Sequence, residues 1–162
     1  MESPVSTVAD LEISPLREGR ESQLAEQWIY QEWARFESEA TWAQNRQDIA
    51  RSLLASVSVP KFFGARVAGE LAGIASIVPH DLPTRPELGP WLANVLVLPA
   101  WRHRGIGGAL VQHVMAYATA LGTPLYLYTF DQVELYRRLG WQTTEQARYV
   151  DRAITIMRYP PA

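Results

Sequence analysis

The sequence predicts an α/β fold of the α+β kind, a mixed sheet with helices packed on it. Three observations carry that reading. The run Val95-Leu96-Val97-Leu98 has the continuous apolar character of a strand buried on both faces. A glycine-rich turn follows, and from Gly105 to Leu121 the apolar residues Leu110, Val111, Val114, Met115 and Ala118 recur at helical spacing. Short β-patterned runs then lie on both sides of this strand and helix. The 162 residues suit one domain with one core. A flexible N-terminus is expected at residues 1–10 and a single domain at residues 11–162.

The elements justify themselves in order. Leu11-Glu12-Ile13 reads as a first strand. From Glu21 onward Leu24, Trp28, Ile29, Trp33 and Phe36 recur at about helical spacing with charges between them. A second short helix is expected over Gln44–Leu54, with Ile49, Leu53 and Leu54 facing inward. Pro60 opens a β section. Phe62, Phe63, Ala65 and Val67 lead to a turn at Ala68-Gly69-Glu70, and Leu71–Val78 returns as a hairpin. The stretch Pro79–Pro90 holds four prolines and is too long for a tight turn, so it reads as a loop that lines a site. Trp91–Leu98 is the next strand. The helix from Gly105 ends at Gly122, a residue suited to a helix C-terminus. Leu125–Tyr128 is a strand, and Asp131–Leu139 is a short helix stopped by Gly140. Strands near Trp141–Thr144 and Ile154–Tyr159 complete the order β-αα-ββ-β-α-β-α-ββ.

Composition narrows the function classes. Apolar residues make up 48% and charged residues 20%, which is a globular balance. A net charge of −2 gives no field that would draw the chain to nucleic acid or an anionic membrane, and neither is expected as a partner. There is no cysteine, so disulfides and thiolate metal sites are excluded, and three scattered histidines make no metal site. Met1-Glu2-Ser3-Pro4 has neither the basic nor the apolar region of a secretory signal, and no apolar run reaches membrane length, so a cytoplasmic location is expected. Lys61 is the only lysine among 15 basic residues, so any mechanism needing a lysine must use it.

The segment that carries chemistry runs from Val95 through Pro99-Ala100-Trp101-Arg102-His103-Arg104-Gly105-Ile106-Gly107-Gly108. A helix N-terminus offers free N–H groups and a partial positive charge, and glycines let a ligand approach the backbone, so the turn is a seat for phosphate. Arg102, His103 and Arg104 add charge around it. Two known phosphate loops fail here. A Walker A loop needs Gly-Lys-Ser/Thr, yet Lys61 precedes Phe62, and a dinucleotide fingerprint needs a third glycine where Leu110 stands.

Arg102-x-x-Gly105-x-Gly107, after a Val-x-Val-x-Pro strand, resembles the acetyl-CoA-binding motif of the GNAT superfamily of N-acetyltransferases. Leu135-Tyr136-Arg137-Arg138-Leu139-Gly140-Trp141 is similar to that family's Phe/Leu-Tyr-x-x-Leu-Gly-Phe segment. The likeness covers residues 60–160 well and 11–55 by pattern. It implies a mostly antiparallel central sheet, acetyl-CoA as co-substrate and no metal. The backbone from Arg102 to Gly108 would hold the pyrophosphate, and Val95, Leu96 and Val97 would run beside the pantetheine arm. Tyr136 would be the general acid that protonates the departing thiolate. A backbone N–H near Val97 would steady the oxyanion. Where the family often has a cofactor-contacting asparagine this chain has Thr129, and where it has a small alanine this chain has Gln132.

For the general base the proline-rich loop offers His80, Asp81 and Glu87, with Asn94 as a group that could hold water. Asp81 is preferred because the loop runs beside the central strand. His113 is placed on the helix surface. Trp28, Tyr30, Trp33 and Trp42 crowd the first helices, where the family forms its acceptor pocket, and Trp28, Trp33 and Asn94 are taken as substrate residues. The expected partner is an amine acceptor, a small molecule or a protein N-terminus, and a homodimer stays open. Two rival readings are a CoA-binding sensor without catalysis and nucleotide binding at the same loop. Tyr136 in its motif argues against the first, and the failed phosphate motifs argue against the second.

Overall fold

The computed structural model describes residues 10–33 and 38–162. The elements are β1 (Leu11–Pro15), α1 (Arg20–Trp33), α2 (Glu39–Ser52), β2 (Lys61–Val67), β3 (Glu70–Val78), β4 (Trp91–Val97), α3 (Ile106–Leu121), β5 (Leu125–Thr129), α4 (Val133–Arg138), β6 (Gln142–Tyr149) and β7 (Arg152–Tyr159), with a 3₁₀ turn at Pro99–Trp101. The seven strands form one sheet in the order β1-β2-β3-β4-β5-β7-β6. Every neighbouring pair is antiparallel except β4 and β5. The fold is thus the mixed, mostly antiparallel α+β arrangement expected.

The sheet separates two cores. On one face Ile106, Leu110, Val111, Val114, Met115 and Ala118 of α3 pack on Phe63, Ala75, Leu92, Leu125 and Met157, with α4 beside them. On the other, Ala25 and Ile29 of α1 and Ile49 of α2 pack on Phe62, Ile74, Trp91 and Ile156. Both β2 and β3 are buried on the two faces of the sheet along nearly their whole length. Gly73 is required where β3 meets β4, because a Cβ there would stand 2.8 Å from the Leu96 carbonyl oxygen.

Two irregularities shape the centre of the sheet. β4 and β5 are in register only at Trp91 and Tyr126, and the Tyr126 N–H donates to Pro90 C=O at 2.9 Å. Beyond that rung the two strands diverge, while β5 stays paired to β7 from Leu125 to Thr129. The second irregularity is a bulge in β4. Ser76 faces Ala93 and Ile74 faces Leu96, so Asn94 and Val95 together oppose Ala75. Asn94 takes a left-handed φ of 56°, a conformation asparagine tolerates. Its Nδ2 donates to Ser76 Oγ at 3.0 Å, and that hydroxyl donates to Ala93 C=O at 2.9 Å. The bulge reverses the inside–outside alternation. Leu92, Val95 and Val97 face α3, whereas Ala93 and Leu96 face the other core.

Several boundaries differ from expectation. α2 starts at Glu39, five residues before Gln44, because Ser38 caps it by accepting the Thr41 N–H at 3.1 Å. Leu54 lies beyond the helix and is exposed rather than inward. Lys61 caps the helix C-terminus by donating to the carbonyls of Ser52 and Leu54, so the sole lysine is structural. His113 is half-buried, its ring 4.7 Å from Phe63 in an edge contact, and burial holds its pKa below the ordinary value. β6 continues to Tyr149, and the hairpin turns through Val150 and Asp151, both at positive φ. Residues 1–9, and Phe36 of the first apolar stripe, lie outside the described residues.

Candidate functional site

Where β4 and β5 part, a cavity of about 250 Å³ opens, lined by both strands, by α1, α2 and α4, and by Asp81. Such a crevice at the carboxyl ends of parallel strands is where ligands of α/β sheets settle. The cavity is lined by residues of both cores. Leu92, Val95, Leu127 and Tyr136 belong to the α3 side. Trp33, Ala93, Tyr128 and Phe130 belong to the α1–α2 side, where Thr41 and Asn45 join them, one turn apart on α2.

The basic turn follows β4 and leads into α3. His103 and Gly105 both take left-handed backbone, with φ of 64° and 82°, and this aims the chain into α3. The first hydrogen bond of the helix runs from the Ala109 N–H to Gly105 C=O at 3.0 Å. The N–H groups of Ile106, Gly107 and Gly108 precede it and are the donors a helix start leaves open. A Cβ on Gly107 would make ordinary contact with Val97 at 3.7 Å, and one on Gly108 would meet nothing within 4 Å. The fold itself therefore does not require glycine at either place, and an approaching ligand would. A phosphate group fits that cradle in size and charge.

Arg102 also makes a local contact. Its Nε donates to Val97 C=O at 2.9 Å, so the side chain ties the turn to the end of β4 besides adding charge. Arg104 lies over the Trp101 ring at 5.2 Å, and His103 is exposed. Backbone direction along β4 follows from its ladder. The Leu98 N–H donates to Ala72 C=O on β3 at 2.9 Å. By alternation the N–H groups of Val97 and Val95 point the other way, toward the opening. Arg102 occupies the Val97 carbonyl there, which leaves N–H donors on that edge.

The remaining sequence candidates divide between the cavity and elsewhere. Tyr136, Thr129, Asp81, Asn94 and Trp33 all line it. Burial pushes the Tyr136 phenol above its ordinary pKa, and its ring packs edge-on against Trp141 at 6.0 Å. Thr129 Oγ1 accepts the Gln132 N–H at 3.0 Å, shaping the turn into α4. Leu96 is buried in the α1–α2 core rather than along the opening. Trp28 is outside the cavity and borders a separate groove with Gly69, Glu70 and Leu98. His80 and Glu87 line another groove, with Val59 and Leu121, on the far side of their loop.

Sequence reasoning missed Thr41, Asn45, Tyr128, Phe130 and Asp131 as lining residues. Tyr128 and Phe130 had a signal, the period-2 alternation of β5, which puts both on one face. Among the described residues no group of three or more acidic or histidine side chains could hold a metal, and no helix is long and apolar enough to cross a membrane.

Among curated proteins none matches the sequence significantly. Solved structures do share the fold. An acetyltransferase from Corynebacterium glutamicum, described as histone acetyltransferase HPA2 and related acetyltransferase, is 20% identical with a TM-score of 0.67, covering 94% of this chain and 97% of that one. An aminoglycoside 6'-N-acetyltransferase complexed with coenzyme A is 16% identical with a TM-score of 0.67, covering 91% and 95%. The PaiA N-acetyltransferase from Thermoplasma acidophilum, in complex with coenzyme A, is 19% identical with a TM-score of 0.61, covering 91% and 97%. The sequence model of the acetyltransferase (GNAT) family matches residues 23–141. Because that match runs from within α1 to the residue packed against Tyr136, it takes in both walls of the cavity, and the chain belongs to the acetyltransferase (GNAT) family.

Proposed function

We propose that residues 11–162 form a single N-acetyltransferase domain that uses acetyl-CoA to acetylate a primary amine, on a small molecule or a peptide N-terminus, with both substrates bound together. The observation that carries this is the opening between β4 and β5, a cavity lined by residues of both cores together with Asp81 and Asp131, with β4 leading on into the glycine-rich start of α3. Two of the solved structures that share the fold are described as complexes with coenzyme A. Bound acetyl-CoA supplies a thioester-activated acetyl group.

The chain's own residues supply the rest. The N–H groups of Ile106, Gly107 and Gly108 bind the pyrophosphate. Val95 and Val97 offer N–H donors along the edge of the opening, where negative charge develops on the thioester oxygen. Tyr136 is protonated throughout the neutral range, since burial raises its pKa, and its phenol gives a proton to the leaving thiolate. Asp81, across the cavity, takes the proton of the attacking amine directly or through a water held near Asn94. Trp33, Tyr128 and Phe130 form an aromatic wall suited to a cationic amine.

Calorimetric titration with acetyl-CoA, with ATP and NAD as controls, tests the donor half. Selective binding of acetyl-CoA is expected, and equal binding of ATP would return the loop to a general nucleotide seat. A panel of amines in a thiol-release assay tests the acceptor half. Binding without turnover of any amine would favour the sensor reading.

A further inference from the structure

The loop 79–90 is not slack. It leaves β3, turns twice through the Arg85 N–H to Leu82 C=O and the Leu88 N–H to Arg85 C=O, at 2.9 and 3.2 Å, and enters β4. Leu82 is buried under it, and the Trp91 indole N–H donates to Leu88 C=O at 2.9 Å. Between these anchors the loop reaches past its own strands. Arg85 Nε donates to Glu145 Oε1 on β6 at 3.0 Å, and Arg85 Nη2 donates to Glu145 Oε2. In the strand order, β5 and β7 lie between β4 and β6, so the loop spans them as a strap. Asp81 sits at the cavity end of that strap, next to Leu82.

We infer that Arg85 and Glu145 form a latch that holds the strap, and Asp81 with it, against the α1–α2 half of the cavity. They are positioning residues for the acceptor side, an assignment that rests on the functional reading above. A bidentate guanidinium–carboxylate pair fixes orientation as well as distance, which a lysine in the same place would not do. Arginine beside Glu145 keeps its carboxyl below the ordinary range, so the pair stays ionised at neutral pH.

Carboxyl labelling tests this without acetyl-CoA or any acceptor, so it stands even if the transferase reading fails. Carbodiimide with glycine ethyl ester is applied to the intact chain, and labelling of Asp81 and of remote Glu70 is read by mass spectrometry. Arg85→Ala and Glu145→Gln should each change the Asp81 rate at least threefold and leave Glu70 unaltered. The exchanged pair, Arg85→Glu with Glu145→Arg, should bring Asp81 back to within twofold of the original rate. Arg85→Lys, the mildest change, should fall between and covers the case in which the others do not fold. Unchanged Asp81 labelling in the single variants would overturn the latch, leaving Leu82 and Trp91 as the anchors. A parallel change at Glu70, or no recovery in the exchanged pair, would equally overturn it in favour of general loosening.

Discussion

At the scale of single residues, the proposed chemistry turns on Tyr136 and on the glycines of the basic turn. Tyr136 is raised in pKa by burial, so it keeps its proton to higher pH than a free phenol. If it donates to the thiolate, kcat should stay level through the ordinary phenol range and fall only above it. Tyr136→Phe keeps the ring against Trp141 and removes only the hydroxyl, so kcat should drop about hundredfold, as for loss of a general acid. Acetyl-CoA affinity measured by calorimetry should change little, and equal loss of both would assign Tyr136 to binding. Gly107→Val should abolish acetyl-CoA binding while the thermal midpoint holds, because the site has room for a side chain only when the seat is empty. Retained affinity would move the phosphate elsewhere. The pair Trp28 and Trp33 shows what periodicity can and cannot say. Residues five apart stand about 140° apart around a helix, so both could not face one pocket. Only Trp33 reaches the cavity, and the choice between them depended on where the sheet opens.

At the scale of elements, one buried cluster ties β1, β2 and α1 together on the same half of the sheet. Arg66 on β2 is 1% exposed and donates to both carboxylate oxygens of Glu21 on α1 at 2.6 Å. It also donates to Ser14 Oγ at 2.7 Å and to Pro15 C=O at 3.1 Å. Hydrogen bonding from Arg66 holds the Glu21 carboxyl below its ordinary range. A depressed carboxylate pKa contributes stability that is complete above the unfolded-state value and is lost as pH falls through the folded value. Melting followed against pH should thus show an acid-side loss that Glu21→Gln removes. At neutral pH that variant should cost about 2 kcal/mol, since it removes the charge-assisted hydrogen bonds of the nearer carboxylate and leaves the buried guanidinium only Glu12, at 3.8 Å, as an ionic partner among the described residues. A cost indistinguishable from zero would mean water replaces the carboxylate. Nothing local in the sequence announced this cluster, because its partners lie 45 to 52 positions apart. The β6–β7 hairpin was partly hidden for a different reason. Its turn residues, Val150 and Asp151, lack the glycine that marks a tight two-residue turn. α2 was set late because its start is fixed by a cap at Ser38 and not by apolar spacing.

At the scale of the whole molecule, the order of elements was legible because each is written locally. The opening that makes the site was not, because it depends on two strands far apart in sequence failing to stay paired beyond one rung, the Tyr126 N–H to Pro90 C=O. The family resemblance pointed to the turn at Arg102–Gly108 and to Tyr136 as candidates, but the bulge at Asn94 and the lining of one cavity from both cores are visible only in three dimensions. That architecture has a consequence for stability. β4 joins β5 at one register position, so the two halves of the sheet are bridged weakly at their centre. A ligand lying along the gap takes the place of the absent rungs. Binding that favours only the folded state should add about 2.7 kcal/mol at a hundredfold excess over Kd, which for a chain of this size is a rise in thermal midpoint of about 5 to 10 °C. Amide exchange should localise the effect. Protection should rise in the second half of β4, along β5 and at the start of α3, and stay unchanged in β1 and in the β2–β3 turn. A uniform rise across the sheet would mean that the ligand stabilises the fold globally without bridging the gap. No rise in midpoint with acetyl-CoA, but one with ATP, would place a nucleotide in the seat and leave the opening without its pantetheine.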